Sequence, residues 1–225
     1  MGGRMIRGVI FDVDGTLVDS VDLHAAAWQE TFAHFGHPAD FDAVRGQIGK
    51  GGDQIMPVFV PADVLEQKEA EIDAFRHDLF KRKYMKQVRG FHRVRALFQQ
   101  LRADGKRVAL ASSAKGDELA HYKRAADIDD LVDTETSSDD AERSKPHPDI
   151  FEAALARLDL PKDQVVVVGD SPWDAKAAAN AGLRSIGLLC GGFAAAELRD
   201  AGCAELYAGP EDLLRHLDRS LIGRG

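Results

Sequence analysis

Short apolar runs that stop at polar residues recur along the chain and predict buried strands. The clearest are Gly8-Val9-Ile10-Phe11 and Val165-Val166-Val167-Val168. Such runs, bounded by polar neighbours, are typical of strands that are covered on both faces of a sheet. Beyond the first run, the predicted strands are 107–112, 165–169 and 184–189, with weaker ones near 131–134 and 204–207.

Helix-like stretches alternate with these strands in the second part of the chain. They cover 91–103, 115–126, 148–158, 172–181, 193–201 and 210–221. This alternation indicates βαβ units around a parallel sheet, with right-handed crossovers. We therefore predict an α/β fold whose sheet is completed by the N-terminal strand.

Residues 18–86 follow a different pattern, in which no strand is predicted. Residues 21–35 are rich in alanine, carry apolar groups at helical spacing, and follow Asp19-Ser20, which predicts a helix N-cap. Residues 61–86 are strongly helical and charged, and a Gly-rich loop is predicted at 48–53. We interpret this stretch as a small all-helical domain inserted after the first strand.

Because the helical domain is inserted after the first strand, we predict that the sheet domain is formed by two separate stretches of the sequence. Residues 1–17 and 88–225 would form the sheet domain, and residues 18–87 the helical domain. The length of 225 residues is sufficient for this arrangement, since it permits one large domain or two small ones.

Composition and charge narrow the range of functions. With 44% hydrophobic and 29% charged residues, the chain is typical of soluble globular proteins. A net charge of −8 argues against a nucleic-acid partner, which normally requires a basic face. The two cysteines, Cys190 and Cys203, form no CxxC pattern, so we expect a reducing, cytoplasmic location. We expect no signal peptide and no membrane partner, since no apolar stretch approaches transmembrane length.

The first strand delivers two carboxylates, Asp12 and Asp14, at its C-terminal end. Ligands bind at that edge of an open parallel sheet. Two unpaired carboxylates so close together repel each other and resist ionising, which a divalent cation or a proton-transfer role would explain. The alternative is a simple exit from the strand, because Asp-Gly is a common turn pair.

Three further segments carry polar groups in a similar setting. They are Ser112-Ser113 after 108–111, Ser144-Lys145-Pro146 before a helix, and Gly169-Asp170 with Asp174 after 165–168. With Asp12-Val13-Asp14-Gly15-Thr16, their order resembles the four motifs of the haloacid dehalogenase superfamily: Asp-x-Asp-Gly-Thr, a Ser or Thr, a Lys, and Gly-Asp-x-x-x-Asp.

The resemblance implies a Rossmann-like parallel sheet core with helices on both faces. It also implies a helical cap domain after the first strand, as in phosphoglycolate phosphatase and beta-phosphoglucomutase, because the gap from Ser113 to Lys145 is too short for a cap.

The resemblance also implies roles for the motif residues. Asp12 would be the nucleophile that forms an acyl phosphate, and Asp14 the general acid and base. Ser112, Ser113 and Lys145 would bind the phosphate, with Lys145 also neutralising the nucleophile. Dehalogenases lack the second Asp, so Asp14 favours phosphatases and phosphomutases.

A magnesium site is implied around the same residues. The expected ligands are Asp12, the backbone carbonyl of Asp14, and Asp170, which suit a hard cation that prefers oxygen. Asp174, four residues later, is either a direct ligand or an outer partner of the site. Alternatively, it only begins a helix, since Pro172 and an acidic residue are typical of helix N-termini.

Two residues of the insertion, His24 and Lys50, are candidate substrate contacts. His24 and Trp28 share one helix face, which is either a wall of the cap near the hinge or an ordinary packed face. Beta-phosphoglucomutase carries His and Trp at similar positions. Lys50 in the Gly-rich loop would meet the leaving group, Arg45 is a weaker candidate for that contact, and a solvated loop charge is the alternative.

The sequence thus predicts a Mg²⁺-dependent phosphatase, monomeric or homodimeric, that acts on a small phosphorylated metabolite of the sugar phosphate or phosphoglycolate type. A phosphosugar mutase that uses the same aspartyl-phosphate is the first alternative. A non-catalytic binding or regulatory protein on the same fold is the second.

Overall fold

The computed structural model describes residues 5–224, so residues 1–4 and 225 of the predicted core lie outside the described part. Eight strands occur in it: β1 Gly8–Phe11, β2 Val18–Asp19, β3 Arg89–Gly90, β4 Arg107–Ala111, β5 Thr134–Thr136, β6 Val165–Gly169, β7 Arg184–Leu188 and β8 Glu205–Tyr207. Ten α-helices occur in it: α1 Val21–His34, α2 Phe41–Arg45, α3 Gly52–Phe59, α4 Ala62–Lys83, α5 Val94–Ala103, α6 Gly116–Ala126, α7 Asp149–Leu158, α8 Pro172–Asn180, α9 Ala195–Asp200 and α10 Pro210–Arg215.

Six of the strands form one sheet in the order β5-β4-β1-β6-β7-β8, and every neighbouring pair is parallel. The predicted parallel sheet is therefore confirmed. Strand β1 lies between β4 and β6, so the chain segments that follow these three strands begin at the same edge of the sheet. Ligand sites of open α/β sheets lie at that edge.

Helices cover both faces of the sheet. Alternate strand residues belong to two separate apolar clusters, since Val9 and Phe11 lie in one and Ile10 in the other. This alternation is what the two-residue period of a strand imposes. Helices α5 and α6 pack on the first face through residues such as Phe98 and Tyr122, and α7 and α8 supply the second cluster. The structure confirms the predicted Rossmann-like architecture.

Some predicted boundaries were wrong. The weak strand near 131–134 begins only at Thr134, because pairing with β4 starts there, whereas Leu131 packs into the core beneath it. The helix predicted over 210–221 ends at Arg215 and is followed by a 3₁₀ turn at Leu217–Arg219. The backbone N–H of Ser220 bonds there to the carbonyls of His216 and Leu217, which tightens the last turn.

The inserted region contains α1 to α4, of which α2 and α3 were not predicted. The segment 48–53 is only partly a loop, because Gly52 and Asp53 already belong to α3. Pairing of β2 with β3 joins the chain where it enters and leaves this region. Each of these strands has two residues, too few for a periodic signal.

An apolar cluster of its own holds these helices together. It includes Trp28, Phe32, Val44, Ile55 and Ile72, which come from different parts of the inserted region. The helices therefore do not depend on the sheet alone for burial of their apolar faces. Among residues 5–224, none of the helices combines the length with the apolar composition that a membrane-spanning segment needs.

We expect Phe98→Ala to lower the free energy of unfolding by about 3–5 kcal/mol, the usual range when a large aromatic side chain is removed from a core. The Phe98 side chain is fully buried, and its ring centroid lies 4.9 Å from that of Phe11. Urea denaturation followed by circular dichroism measures the change. The control is Val58→Ala, at a position 52% exposed, where we expect a change within about 0.5 kcal/mol. Equal stabilities of the two variants would contradict the packing described.

Candidate functional site

Side chains from four parts of the chain meet at the carboxyl edge of the sheet. Asp12 follows β1, Ser112 follows β4, Asp170 follows β6, and Lys145 comes from the segment before α7. All four are buried. The adjacency of β4, β1 and β6 explains why residues so distant in sequence lie together.

The ammonium group of Lys145 is fully buried between two carboxylates. Its Nζ contacts Asp12 Oδ1 and lies 2.7 Å from Asp174 Oδ1. Burial alone would lower the pKa of Lys145, but the negative charges of Asp12 and Asp174 outweigh burial and raise that pKa. Lys145 therefore remains a cation between the two carboxylates.

Three buried carboxylates, those of Asp12, Asp170 and Asp174, offer oxygen atoms that all lie within 4.8 Å of one another. Burial, with the charge of Asp174, raises the pKa of Asp12 to about 7 despite the opposing effect of Lys145. Burial, followed by the charges of Asp174 and Asp12, raises the pKa of Asp170 well above its ordinary value. The cluster thus has more negative charge than Lys145 balances, and its donors are all oxygen atoms. A hard divalent cation fits that donor set.

Thr16 links two members of the cluster and was not assigned a role from the sequence. Its hydroxyl donates to Asp170 Oδ1 at 2.9 Å and lies 3.2 Å from Asp12 Oδ2. A buried carboxylate that accepts a hydrogen bond is held in one orientation. The position of Thr16 as the last residue of the Asp-x-Asp-Gly-Thr motif is the signal that could have identified this role.

The carboxylate of Asp174 divides its two oxygens between neighbours. Oδ1 faces Lys145, whereas Oδ2 accepts hydrogen bonds from the backbone N–H of Ser171 at 3.0 Å and from its hydroxyl at 2.6 Å. These contacts form a capping box at the start of α8. Asp174 therefore does help to begin a helix, as one interpretation of the sequence proposed. It also belongs to the carboxylate cluster, where its other oxygen lies beside Lys145.

Asp14 lies apart from that cluster. Its Oδ1 accepts hydrogen bonds from Ser20 Oγ at 2.6 Å and from His24 Nε2 at 2.9 Å. Burial raises the pKa of Asp14, but His24, Ser20 and Arg76 outweigh burial, and the net effect lowers it. Ser20 occupies the predicted N-cap position of α1, yet its hydroxyl bonds Asp14 and not the helix backbone. The predicted N-cap position is therefore confirmed, although the Ser20 side chain makes no capping bond.

The orientation of the His24 ring follows from its partners. Arg76 Nη2 contacts His24 Nδ1, and a guanidinium can only donate, so Nδ1 accepts and Nε2 carries the proton. That proton faces Asp14, with the hydroxyl of Tyr122 3.1 Å from the same nitrogen. The ring of Phe80 stacks on His24 at 4.1 Å. His24 is therefore a hydrogen-bond donor to Asp14, a contact that sequence reasoning did not foresee.

Two connected cavities lie above these carboxylates. The inner chamber, about 50 Å³ in volume, has Asp12, Asp14, His24 and Glu118 among its lining residues, with Ile48 and Ile55 as apolar walls. The outer chamber has Asp53, Asp73, Lys115 and Ser144 in its lining. Trp28, Lys50, Arg76 and Ser113 line both. Side chains from the inserted helices and from the sheet domain thus enclose one space.

The candidate residues of the insertion occupy different places. Lys50 lies at the junction of the two chambers, with its Nζ 3.9 Å from the centre of the Trp173 ring. Burial, with the nearby charge of Lys176, lowers the pKa of Lys50. Arg45 instead bonds Asp22 and the carbonyl of Gly191, outside the lining of both chambers. Trp28 lines both chambers and also packs on Phe32. It is therefore both a wall of the cavity and part of a packed helix face.

The two serines after β4 differ in setting. The hydroxyl of Ser112 is buried and accepts the backbone N–H of Ala114 at 3.1 Å. Ser113 lines both chambers. Arg76 and Glu118, which also line the inner chamber, were missed because single charged residues on helices usually indicate a solvated face.

Comparison with known proteins gives consistent results. The family model described as haloacid dehalogenase-like hydrolase matches residues 9–188. A phosphoglycolate phosphatase of Yersinia pestis is 35% identical over 193 residues, which cover 84% of this chain and 83% of that protein. A phosphorylated carbohydrates phosphatase of Thermotoga maritima is 28% identical over 220 residues, 96% of this chain and 100% of that one. The crystal structure of a hydrolase from Pseudomonas syringae superposes with a TM-score of 0.85 at 30% identity, covering 94% of this chain and 98% of that one.

The matched region of 9–188 contains all four of the motifs that meet at the carboxyl edge of the sheet. The predicted family is thereby confirmed, and with it the class of enzyme, a phosphoric monoester hydrolase. The chain belongs to the haloacid dehalogenase-like hydrolases.

Proposed function

We propose that the protein is a Mg²⁺-dependent phosphatase that hydrolyses a small phosphorylated metabolite through an aspartyl-phosphate at Asp12. The observation that carries this proposal is the buried contact of Asp12 with Lys145 at the floor of a chamber. A carboxylate held beside a cation can approach an anionic phosphoryl group, which otherwise repels it.

The metal would be held by Asp12 and Asp170, with the backbone carbonyl of Asp14 as the third protein ligand that the family resemblance implies. Their raised pKa values indicate a surplus of negative charge that a divalent cation would relieve. Asp174 would then act through Lys145, which it contacts at 2.7 Å. A bound Mg²⁺ would supply charge neutralisation of the phosphoryl oxygens.

In the first step a carboxylate oxygen of Asp12 would attack phosphorus, and the bond from phosphorus to the leaving oxygen would break. Asp14 in its protonated form would give a proton to the leaving oxygen. In the second step Asp14, now ionised, would take a proton from water as that water attacks the aspartyl-phosphate. The contacts of Asp14 with Ser20 and His24 favour the ionised form and hold the carboxylate in place for this step.

Residues 18–87 would serve as a cap that excludes water from the phosphorylated intermediate. Contacts across the chambers support this role: Lys115 Nζ lies 2.8 Å from Asp73 Oδ2, and the backbone N–H of Ser144 lies 3.2 Å from Asp53 Oδ2. Trp173 Nε1 also donates to the carbonyl of Gly46 at 3.3 Å. The β2–β3 pair would be the hinge about which the cap opens.

A cytoplasmic location and a monomeric or homodimeric state are part of the same proposal. Both cysteines of the described chain are free, which suits a reducing compartment. The two chambers are enclosed by side chains of a single chain, so the proposed site does not require a second subunit.

We expect Asp12→Asn to reduce kcat by several orders of magnitude, on the scale seen when a nucleophile is removed. The fold is retained, since the side chains are nearly equal in size. Initial rates with p-nitrophenyl phosphate and Mg²⁺ measure the loss. Asp200→Asn, at an exposed position at the end of α9, is the matched control and keeps the parent rate. Activity of Asp12→Asn within about tenfold of the parent would show that Asp12 is not the nucleophile.

Removal of metal with EDTA should abolish activity, and Mg²⁺ should restore it. Ca²⁺ should bind yet support little turnover, because its larger and looser coordination misplaces the reacting groups. Binding can also be followed without activity, since Mg²⁺ raises the melting temperature of the parent and leaves that of Asp170→Asn nearly unchanged. Full activity in excess EDTA would refute the metal site.

Lys50→Ala should lower kcat/KM for the physiological substrate far more than for p-nitrophenyl phosphate. The contacts at Asp12 and Lys145 remain, whereas a contact with the leaving group at the junction of the chambers is lost. Lys68→Ala, on the exposed face of α4, is the control and changes neither rate. Equal, small losses on both substrates would mean that Lys50 is only a loop charge.

A further inference from the structure

Residues 46–53 of the inserted region, which we call the docking segment, lie against the residue that precedes Lys145. Asp53 Oδ2 accepts a hydrogen bond from the backbone N–H of Ser144 at 3.2 Å. Beside this bond the two chains are in close contact. A Cβ placed on Gly51 would lie 2.5 Å from Ser144 Cβ and closer still to the Ser144 hydroxyl oxygen. The backbone of the docking segment thus reaches Ser144 only because residue 51 is glycine.

The same segment reaches the sheet domain at a second place, the first turn of α8. Trp173 Nε1 donates a hydrogen bond to the carbonyl of Gly46 at 3.3 Å. A Cβ on Gly49 would lie 2.6 Å from Ser171 Oγ. Ser171 is the residue whose backbone N–H and hydroxyl bind Asp174. One end of the docking segment therefore adjoins a partner of the buried ammonium group, and the other end adjoins the residue before it.

The stretch of chain that carries Lys145 is held partly by the sheet domain and partly by the insertion. Helices α7 and α8 supply side chains that bond the N–H of Arg143 and the carbonyl of Pro146. Within residues 5–224, the acceptor of the Ser144 N–H is Asp53. If the insertion moves away from the sheet domain, this N–H passes to water, and the residue next to Lys145 loses a fixed bond.

We infer that Gly51 and Asp53 are positioning residues, which act on the reaction through Ser144. Their contact fixes the backbone before Lys145 and thereby holds the ammonium group beside Asp12. Turnover then depends on docking of the segment even for a generic ester such as p-nitrophenyl phosphate. A displacement of about 1 Å in a catalytic group can cost about a hundredfold in rate. The inference rests on the proposed function, because Lys145 acts there through the nucleophile.

Gly51→Ala tests the contact by steric means. The φ of Gly51 is −83°, so alanine suits the backbone, and the new methyl group meets the sheet domain only when the segment is docked. We expect kcat for p-nitrophenyl phosphate with saturating Mg²⁺ to fall by about tenfold or more. Gly116→Ala, where a Cβ would have no neighbour within 4 Å, is the control and keeps the parent rate. A parent-like rate in Gly51→Ala would overturn the inference.

A compensating change separates docking from any other effect of the methyl group. Ser144→Gly removes the side chain that this methyl group meets. The double variant of Gly51→Ala with Ser144→Gly should therefore turn over at nearly the rate of Ser144→Gly alone. If the two losses simply multiply, alanine at position 51 acts elsewhere, and the inference is wrong.

Two variants of Asp53 give an independent test that remains decisive if Gly51→Ala does not fold. Asp53→Ala removes the acceptor of the Ser144 N–H, so kcat should fall by about tenfold. Asp53→Asn keeps an acceptor oxygen and should retain most of the rate. Equal rates in these two variants would contradict a role that depends on the hydrogen bond.

Hydrogen exchange measures the positioning without reference to activity. The amides of residues 143–147 should exchange faster in Gly51→Ala and in Asp53→Ala than in the parent, whereas those of α5 should keep their rates. Unchanged exchange at 143–147 in both variants would overturn the inference. Failure of the proposed function looks different, because then the parent itself does not hydrolyse p-nitrophenyl phosphate, and the exchange rates still decide whether the docking segment fixes the backbone around Lys145.

Discussion

One buried ammonium group, that of Lys145, is the constraint on which the candidate site depends. Without it, Asp12, Asp170 and Asp174 would place three carboxylates within 4.8 Å of one another with no positive charge among them. Removing one partner of a buried ion pair typically costs about 3–5 kcal/mol, because an uncompensated charge remains. The capping box of Ser171 and Asp174 fixes one side of this arrangement, and the hydroxyl of Thr16 connects the other two carboxylates.

The carboxylate cluster has a second requirement, which is that the backbone passes close to Asp170. Gly15 has a φ of +79°, and a Cβ placed on it would lie 2.3 Å from Asp170 Oδ2. A Cβ on Gly191 would lie 1.7 Å from that oxygen. Glycine is needed at both positions, because any side chain would displace the carboxylate. The turn after β1 and the segment after β7 are thus shaped by the carboxylate that follows β6.

The inserted helices are part of the site and do not merely cover it. A chain of polar contacts runs from Asp14 through His24 and Arg76 to Glu118, so it joins α1 and α4 of the insertion to α6 of the sheet domain. The aromatic rings of Phe80 and Trp28 face the Arg76 guanidinium at 5.2 and 5.5 Å from their centres, which favours its charge inside the chamber. Movement of the insertion would therefore change the surroundings of Asp14 as well as access to it.

The sequence by itself determined the parallel α/β core, the positions of Asp12, Ser112 and Asp170 at strand ends and that of Lys145 before a helix, because apolar runs and the motifs near them are local signals. It could not determine the partners of these residues. Nothing local distinguishes Arg76 or Glu118 from solvated helix charges, and the Ser20 hydroxyl had a plausible partner in its own helix. Only the tertiary structure placed α4 against α6 and the turn after β1 against α1. Burial then decided which polar groups pair, because a polar group that is removed from water must find a partner nearby.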